Sequence, residues 1–137
     1  MASGPSPTAE LQPAQSQSAR DECRGLAQVI DSVADKWAVM VVGHLSEQGL
    51  LRFNELMRAI PGVSHRMLTL TLRNLEREGI VNRAPHATVP PRVDYTLTEL
   101  GQSLTEPLAL LAQWATRKRP LIEASRRTYD ARNVEVS

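Results

Sequence analysis

Residues 64–79, SHRMLTLTLRNLEREG, limit what this chain can fold into more than any other stretch. Ser64 can cap a helix by accepting a first-turn N–H, and Gly79 can end it in the left-handed region. Between them Leu68, Thr71, Leu72 and Leu75 recur at helical spacing and form one dry face. The opposite face carries Arg66, Thr69, Leu70, Arg73 and Arg77, with Glu76 and Glu78 off to its two sides. A helix with one apolar face and three fixed cations on the other suits a DNA major groove. Arginine offers a forked donor for guanine or phosphate, and threonine a hydroxyl or a methyl. Taken alone, the stretch also fits an ordinary solvated surface helix, so its neighbours decide.

Upstream, Asp35 caps a second helix over 36–48 (KWAVMVVGHLSEQ) that Gly49 stops, with Trp37, Val41, His44 and Leu45 on its main apolar side. Residues 50–52 allow one short edge strand. Residues 53–60 (FNELMRAI) make a short third helix with Phe53, Leu56 and Ile60 inward. Pro61 and Gly62 form a turn, and Val63 precedes the Ser64 cap as a hydrophobic staple. A short helix, a brief turn and an amphipathic helix make a helix-turn-helix. After Gly79 the period changes to two. Val93, Tyr95 and Leu97 share one strand face, and Arg92, Asp94 and Thr96 the other. Two strands around the Pro-rich tip 84–91 predict a β-hairpin wing. The fold class is mostly α with a small β wing (α+β): a winged helix-turn-helix with N- and C-terminal dimerisation helices.

At 137 residues one domain is expected. The sequence predicts a disordered arm over 1–20, the domain and its C-terminal dimerisation helix over 21–131, and a flexible tail over 132–137. The arm (MASGPSPTAELQPAQSQSA and Arg20) is small, polar and rich in Pro and Gln, and cannot build a core. A first helix begins near Asp21 with Leu26, Val29, Ile30 and Val33 as its stripe. Thr98 caps a last helix striped by Leu100, Leu104, Leu108, Leu111 and Trp114, with Pro107 expected to kink it and Pro120 to begin another segment.

Net charge is only +1, so no global positive field announces nucleic acid. The basic groups sit late: 1–65 hold five Lys/Arg against seven Asp/Glu, and 101–137 hold six against four. The single Cys23 excludes an intrachain disulfide and a cysteine-rich zinc site. His44, His65 and His86 have no metal-ligand spacing, and no phosphate loop or nucleophile arrangement occurs. No catalytic residue, metal or cofactor is expected. With no signal peptide and no run long enough to span a bilayer, the chain reads as cytoplasmic, on nucleoid DNA when bound, with no membrane partner.

Four segments resemble one family closely: DKW at 35–37, LRFNELMRAIPGVSHRMLT at 51–69, LRNLEREGIVNR at 72–83 and VPPRVDYTLTELGQSL at 89–104. The family is the HxlR type of bacterial transcription regulator, near the MarR type. The resemblance covers about 23–114. It implies a homodimer, joined through its first and last helices, that binds an imperfect palindrome and represses or activates nearby genes. The stripes agree independently, because a small domain need not expose so much leucine unless a partner covers it. Leu26, Val29, Ile30, Leu104, Leu108, Leu111 and Trp114 are the candidate dimer residues. The alternative is that both helices pack only on their own domain. Three positions depart from the family pattern: Arg24 follows the cysteine where proline is usual, Leu70 stands where a polar residue is common, and His86 where an aromatic is common.

The candidate DNA contacts are Ser64, His65, Arg66, Thr69, Leu70, Arg73 and Arg77 on the helix, and Thr88, Val89 and Arg92 on the wing. Leu70 fits a thymine methyl, or is simply an exposed apolar residue. Arg92 fits the backbone or minor groove, or a cross-strand charge pair within the hairpin. Several family members sense oxidants or electrophiles through a cysteine near Cys23. Arg24 and a helix N-terminus would favour the thiolate there, and Asp21 and Glu22 oppose it. The alternative is a small buried hydrophobe. The partners expected are double-stranded DNA with a pseudo-palindromic operator, a second copy of the chain, and a small-molecule or oxidant effector. A winged-helix module that binds protein instead of DNA is the competing reading, supported by the near-zero net charge.

Overall fold

The structure, a computed structural model, describes residues 5–136. The elements run α1 (Pro5–Val33), α2 (Lys36–Gln48), β1 (Leu50–Arg52), α3 (Phe53–Ala59), α4 (His65–Arg77), β2 (Val81–His86), β3 (Arg92–Leu97) and α5 (Glu99–Val136). The three strands form one antiparallel sheet in the order β1-β3-β2. This is the winged helix-turn-helix that the period changes predict.

Each boundary has a local cause. The Asp35 carboxylate accepts the Ala38 N–H at 2.8 Å, and α2 closes at Gly49, whose N–H donates to the Leu45 carbonyl. The Arg52 N–H donates to Glu55 Oε1 at 2.8 Å and starts α3. Ser64 Oγ accepts the Met67 N–H at 3.0 Å and starts α4. Gly79 ends that helix at φ +81°, which a side chain would strain.

The core lies where α2, α3 and α4 meet the sheet. Val41, Val42, Leu45, Leu56, Ile60, Leu68 and Leu75 are almost wholly buried there. The predicted dry face of α4 is the observed one: Leu68, Thr71, Leu72 and Leu75 are its buried residues. Burying a leucine of this kind contributes roughly 1.5–3 kcal/mol, so this face fixes how α4 sits and therefore which face looks outward.

Thr98 ties the wing to the last helix. Its N–H donates to the Ile80 carbonyl at 3.0 Å and its hydroxyl donates to the Gly79 carbonyl. The same hydroxyl oxygen accepts the Gly101 N–H at 3.0 Å and so caps α5. Residue 101 must be glycine because a Cβ there would collide with the Ile80 carbonyl oxygen.

Several expectations at the chain ends are corrected. The arm expected over 1–20 is helical from Pro5, and residues 1–4 lie outside the described residues. Proline suits a first helical position, and Ala, Glu, Leu and Gln in the next turns favour helix against the cost of Pro7 and Pro13. Asp21 and Cys23 therefore stand well inside α1 and not at its start. Pro107 and Pro120 both lie inside α5, which runs through Pro120 without the restart expected there. Each proline deletes one intrahelical bond, and the carbonyls freed, of Ser103 and Thr116, belong to exposed residues where water can bond them. The tail expected over 132–137 is helical through Val136, and Ser137 lies outside the described residues. Among the described residues no helix is long and apolar enough to cross a membrane.

The candidate dimer residues divide. Leu104 and Leu108 are half-buried against the domain's own core. Leu26, Val29, Ile30, Leu111 and Trp114 remain between 43% and 59% exposed. Residues 17–31 of α1 are exposed, and so is nearly all of α5 beyond Leu108.

Candidate nucleic-acid interface

With its apolar face held by the core, α4 presents Arg66, Leu70, Arg73 and Arg77 to solvent. Leu70 is 42% exposed on this otherwise polar stripe. The Thr69 hydroxyl donates to the His65 carbonyl at 2.8 Å, so Thr69 has a methyl and acceptor lone pairs left for a ligand. Ser64 is likewise engaged, as the cap of α4. The His65 ring packs against Phe53 with centroids 4.7 Å apart, which steadies the start of α4 on α3.

Beside α4 the wing closes one wall of a groove of about 950 Å³. The floor is apolar, from Phe53, Leu72, Val93 and Tyr95. Four arginines line it, Arg52, Arg73, Arg83 and Arg92, against one carboxylate, Glu76. Asp94 beneath Arg52 and Arg92 offsets part of this, which leaves the local balance positive although the chain as a whole is at +1, and local charge is what a phosphate within a Debye length of about 8 Å responds to. His65 and Thr69 line the same groove from α4, and Thr88 and Val89 from the wing tip. Arg66, Leu70 and Arg77 lie on the rest of the outward face of α4 and do not line the groove.

The wing tip is shaped from within. Thr88 donates its hydroxyl to the Pro90 carbonyl at 2.7 Å, and Val89 next to it is fully exposed. Arg92 lines the groove, and its Nε lies 3.8 Å from Asp94 Oδ2 on the same strand, not in the cross-strand charge pair considered from the sequence.

Two groove residues are absent from the sequence-based candidates. Arg52 precedes α3 at the end of β1, and Arg83 faces α4 from β2. The signal for Arg83 was present, since period two puts it on the same side as buried Val81. Arg52 had no periodic signal, because a three-residue strand is too short to define a face. Asp94 is a second surprise: it lies on the polar face of β3 yet is only 7% exposed, covered by arginine and histidine side chains.

Cys23 is exposed on the single chain, so its own domain does not bury it. It also stands far past the first turn of α1, so the helix N-terminus expected beside it is not there. Among the described residues no group of three His, Cys, Asp or Glu could hold a metal ion.

The model of HxlR-like helix-turn-helix proteins matches residues 32–123, from the end of α1 through the exposed part of α5. This chain belongs to the HxlR-like helix-turn-helix family. It is 42% identical over 98 residues to the uncharacterized HTH-type transcriptional regulator YybR of Bacillus subtilis, covering 71% of this chain and 77% of that one. It is 40% identical over 99 residues to the uncharacterized HTH-type transcriptional regulator YtfH of Escherichia coli, covering 72% and 78%. Among solved structures, the redox regulator HypR in its reduced form superposes with a TM-score of 0.68 at 37% identity, covering 73% of this chain and 98% of that one. This HxlR-like protein is a DNA-binding transcriptional regulator and not an enzyme. That decides between the two readings of the winged helix.

Proposed function

We propose that the protein works as a homodimer on a pseudo-palindromic operator, with α4 in the major groove and the wing on the backbone and minor groove beside it. The observation that carries this is the arginine-lined groove between α4 and the wing, where four cations face one carboxylate. Arg66, Arg73 and Leu70 read base edges, and Arg52, Arg83, Arg92 and Arg77 hold phosphates. Thr88 and Val89 carry the wing tip into the minor groove. Occupying a promoter in this way represses the neighbouring gene, in the cytoplasm and on nucleoid DNA.

The second copy docks on α1 and α5. Leu26, Val29 and Ile30 on one helix and Leu111 and Trp114 on the other are exposed apolar residues of a kind that single chains rarely leave in water. The far half of α5 also lacks packing of its own, and long helices owe most of their stability to tertiary contacts. A two-fold dimer would set two α4 helices about one DNA turn, roughly 34 Å, apart. An oxidant acting at exposed Cys23 is the effector we propose, supported by the likeness to a redox regulator.

Anisotropy titration of the DNA upstream of its own gene, against a random duplex at two salt concentrations, tests the reading together with sedimentation equilibrium. Tight, salt-sensitive and sequence-specific binding by a species of twice the chain mass is expected. A monomer at micromolar concentration, or no binding at low salt, would overturn it.

A further inference from the structure

Asp94 sits at the centre of the wing sheet with Arg52 directly opposite it on β1 and Ala84 opposite it on β2. Its neighbours Val93 and Tyr95 turn toward the core, so its carboxylate lies on the other face. There it meets three basic side chains. Arg52 Nε is 3.8 Å from Oδ1, Arg92 Nε is 3.8 Å from Oδ2, and His86 Nε2 is 2.9 Å from Oδ2. The carboxylate is buried beneath them, and Oδ1 has no hydrogen-bond partner. A buried carboxylate without a full set of hydrogen bonds depends on charge for its compensation. Here that charge comes from Arg52 on β1 and Arg92 on β3, with His86 on β2 within hydrogen-bond distance.

Two of those side chains, Arg52 and Arg92, also line the groove beside α4. In both the nitrogen near Asp94 is Nε, which leaves the terminal amino groups of each guanidinium free to donate elsewhere. A long arginine otherwise loses much rotamer freedom when it grips a phosphate. Holding the guanidinium beside a fixed carboxylate in advance, as an ion pair at 3.8 Å, removes part of that cost. From this we infer that Asp94 is a positioning residue for DNA binding. It touches no DNA itself, and holds the guanidinium groups of Arg52 and Arg92 where the phosphate backbone enters the groove. The inference rests on the proposed placement of DNA in that groove.

The sign of the effect separates positioning from simple charge. Removing one negative charge from a DNA-facing surface tightens binding if Asp94 acts only through the field. If Asp94 positions two phosphate-binding arginines, its removal loosens binding despite the added positive charge.

The test compares wild type, Asp94→Asn and Asp94→Glu by anisotropy on the upstream duplex and on a random duplex of equal length, across a salt series. For Asp94→Asn we expect affinity lower on the order of ten-fold on both duplexes, and a salt slope shallower by up to about 1.8, as for two lost phosphate contacts. Asp94→Glu should recover most of the slope, because it keeps the carboxylate. Equal or tighter binding by Asp94→Asn overturns the inference. So does weaker binding with an unchanged slope and a lowered melting temperature, which would mark a role in folding alone. Wild type that binds neither duplex at low salt overturns the placement of DNA and this inference with it. Should Asp94→Asn not fold, the exposed Arg52→Gln and Arg92→Gln take its place. Each should make the slope shallower by about 0.9 with an unchanged melting temperature, and no change in slope for either overturns the inference.

Discussion

Gly101 packs against the carbonyl oxygen of Ile80 in a space that no side chain can enter. The contact joins the first turn of α5 to the residue just before β2, and Thr98 brackets it from both sides with hydrogen bonds to Gly79, Ile80 and Gly101. Gly101→Ala should therefore destabilise the domain by roughly 1–3 kcal/mol, as overpacking does, and lower the melting temperature by several degrees. Gly43→Ala is the contrasting substitution. Gly43 lies inside α2 with open space around it, so alanine there should add roughly 0.5–1 kcal/mol. Thermal denaturation of the two variants checks the pair, and equal shifts would contradict the close approach.

Arg73 and Arg83 line one groove from different elements but should fail differently. Arg73→Ala is expected to weaken operator binding by about 1–3 kcal/mol while changing random-duplex binding much less, as for a bidentate base contact. Arg83→Ala should weaken binding to both duplexes alike and make the salt slope shallower by about 0.9. Anisotropy titrations at several salt concentrations distinguish them. An operator affinity unchanged by Arg73→Ala would remove its assignment.

The division of the apolar stripe of α5 gives a third expectation. Trp114→Glu, at an exposed position, should leave circular dichroism at low temperature native and convert the dimer to monomer in sedimentation. Leu104→Glu places a charge against the core and should unfold the domain instead. A dimer that survives both Trp114→Glu and Ile30→Glu would exclude α1 and α5 as the interface.

Exposed Cys23 should form an intersubunit disulfide after mild peroxide only if the two α1 helices bring the cysteine Cα atoms within about 7 Å. The two thiols would give up two electrons and two protons, and the peroxide would leave as two waters. A non-reducing gel should show a dimer band that Cys23→Ser abolishes. Monomer alone after treatment would remove this form of sensing.

The helices and the wing are legible in the sequence because each has a local chemical cause. Asp35, Ser64 and Thr98 are cap residues, Gly49 and Gly79 are stops, and the dry face of α4 follows from spacing alone. The ends of α1 and α5 are not legible in the same way, because polar composition and prolines point away from helix while the Ala, Leu, Glu, Gln and Arg between them favour it. A polar stretch with no core to build can still be helical, and an exposed helix carries a proline at the loss of one bond.

The sequence by itself determined the order of elements, the recognition helix and its outward arginines, because caps and periodicity act within a few residues of one another. Only the tertiary structure decided the rest of the groove. Arg52 comes from β1 and Arg83 from β2, and they join Arg73 only once the sheet packs on α4. The sheet also brought Asp94 under Arg52, His86 and Arg92, a buried carboxylate on a strand face that alternation alone marks as polar. Such meetings depend on strand register between distant segments, and register is set by which faces the core can bury.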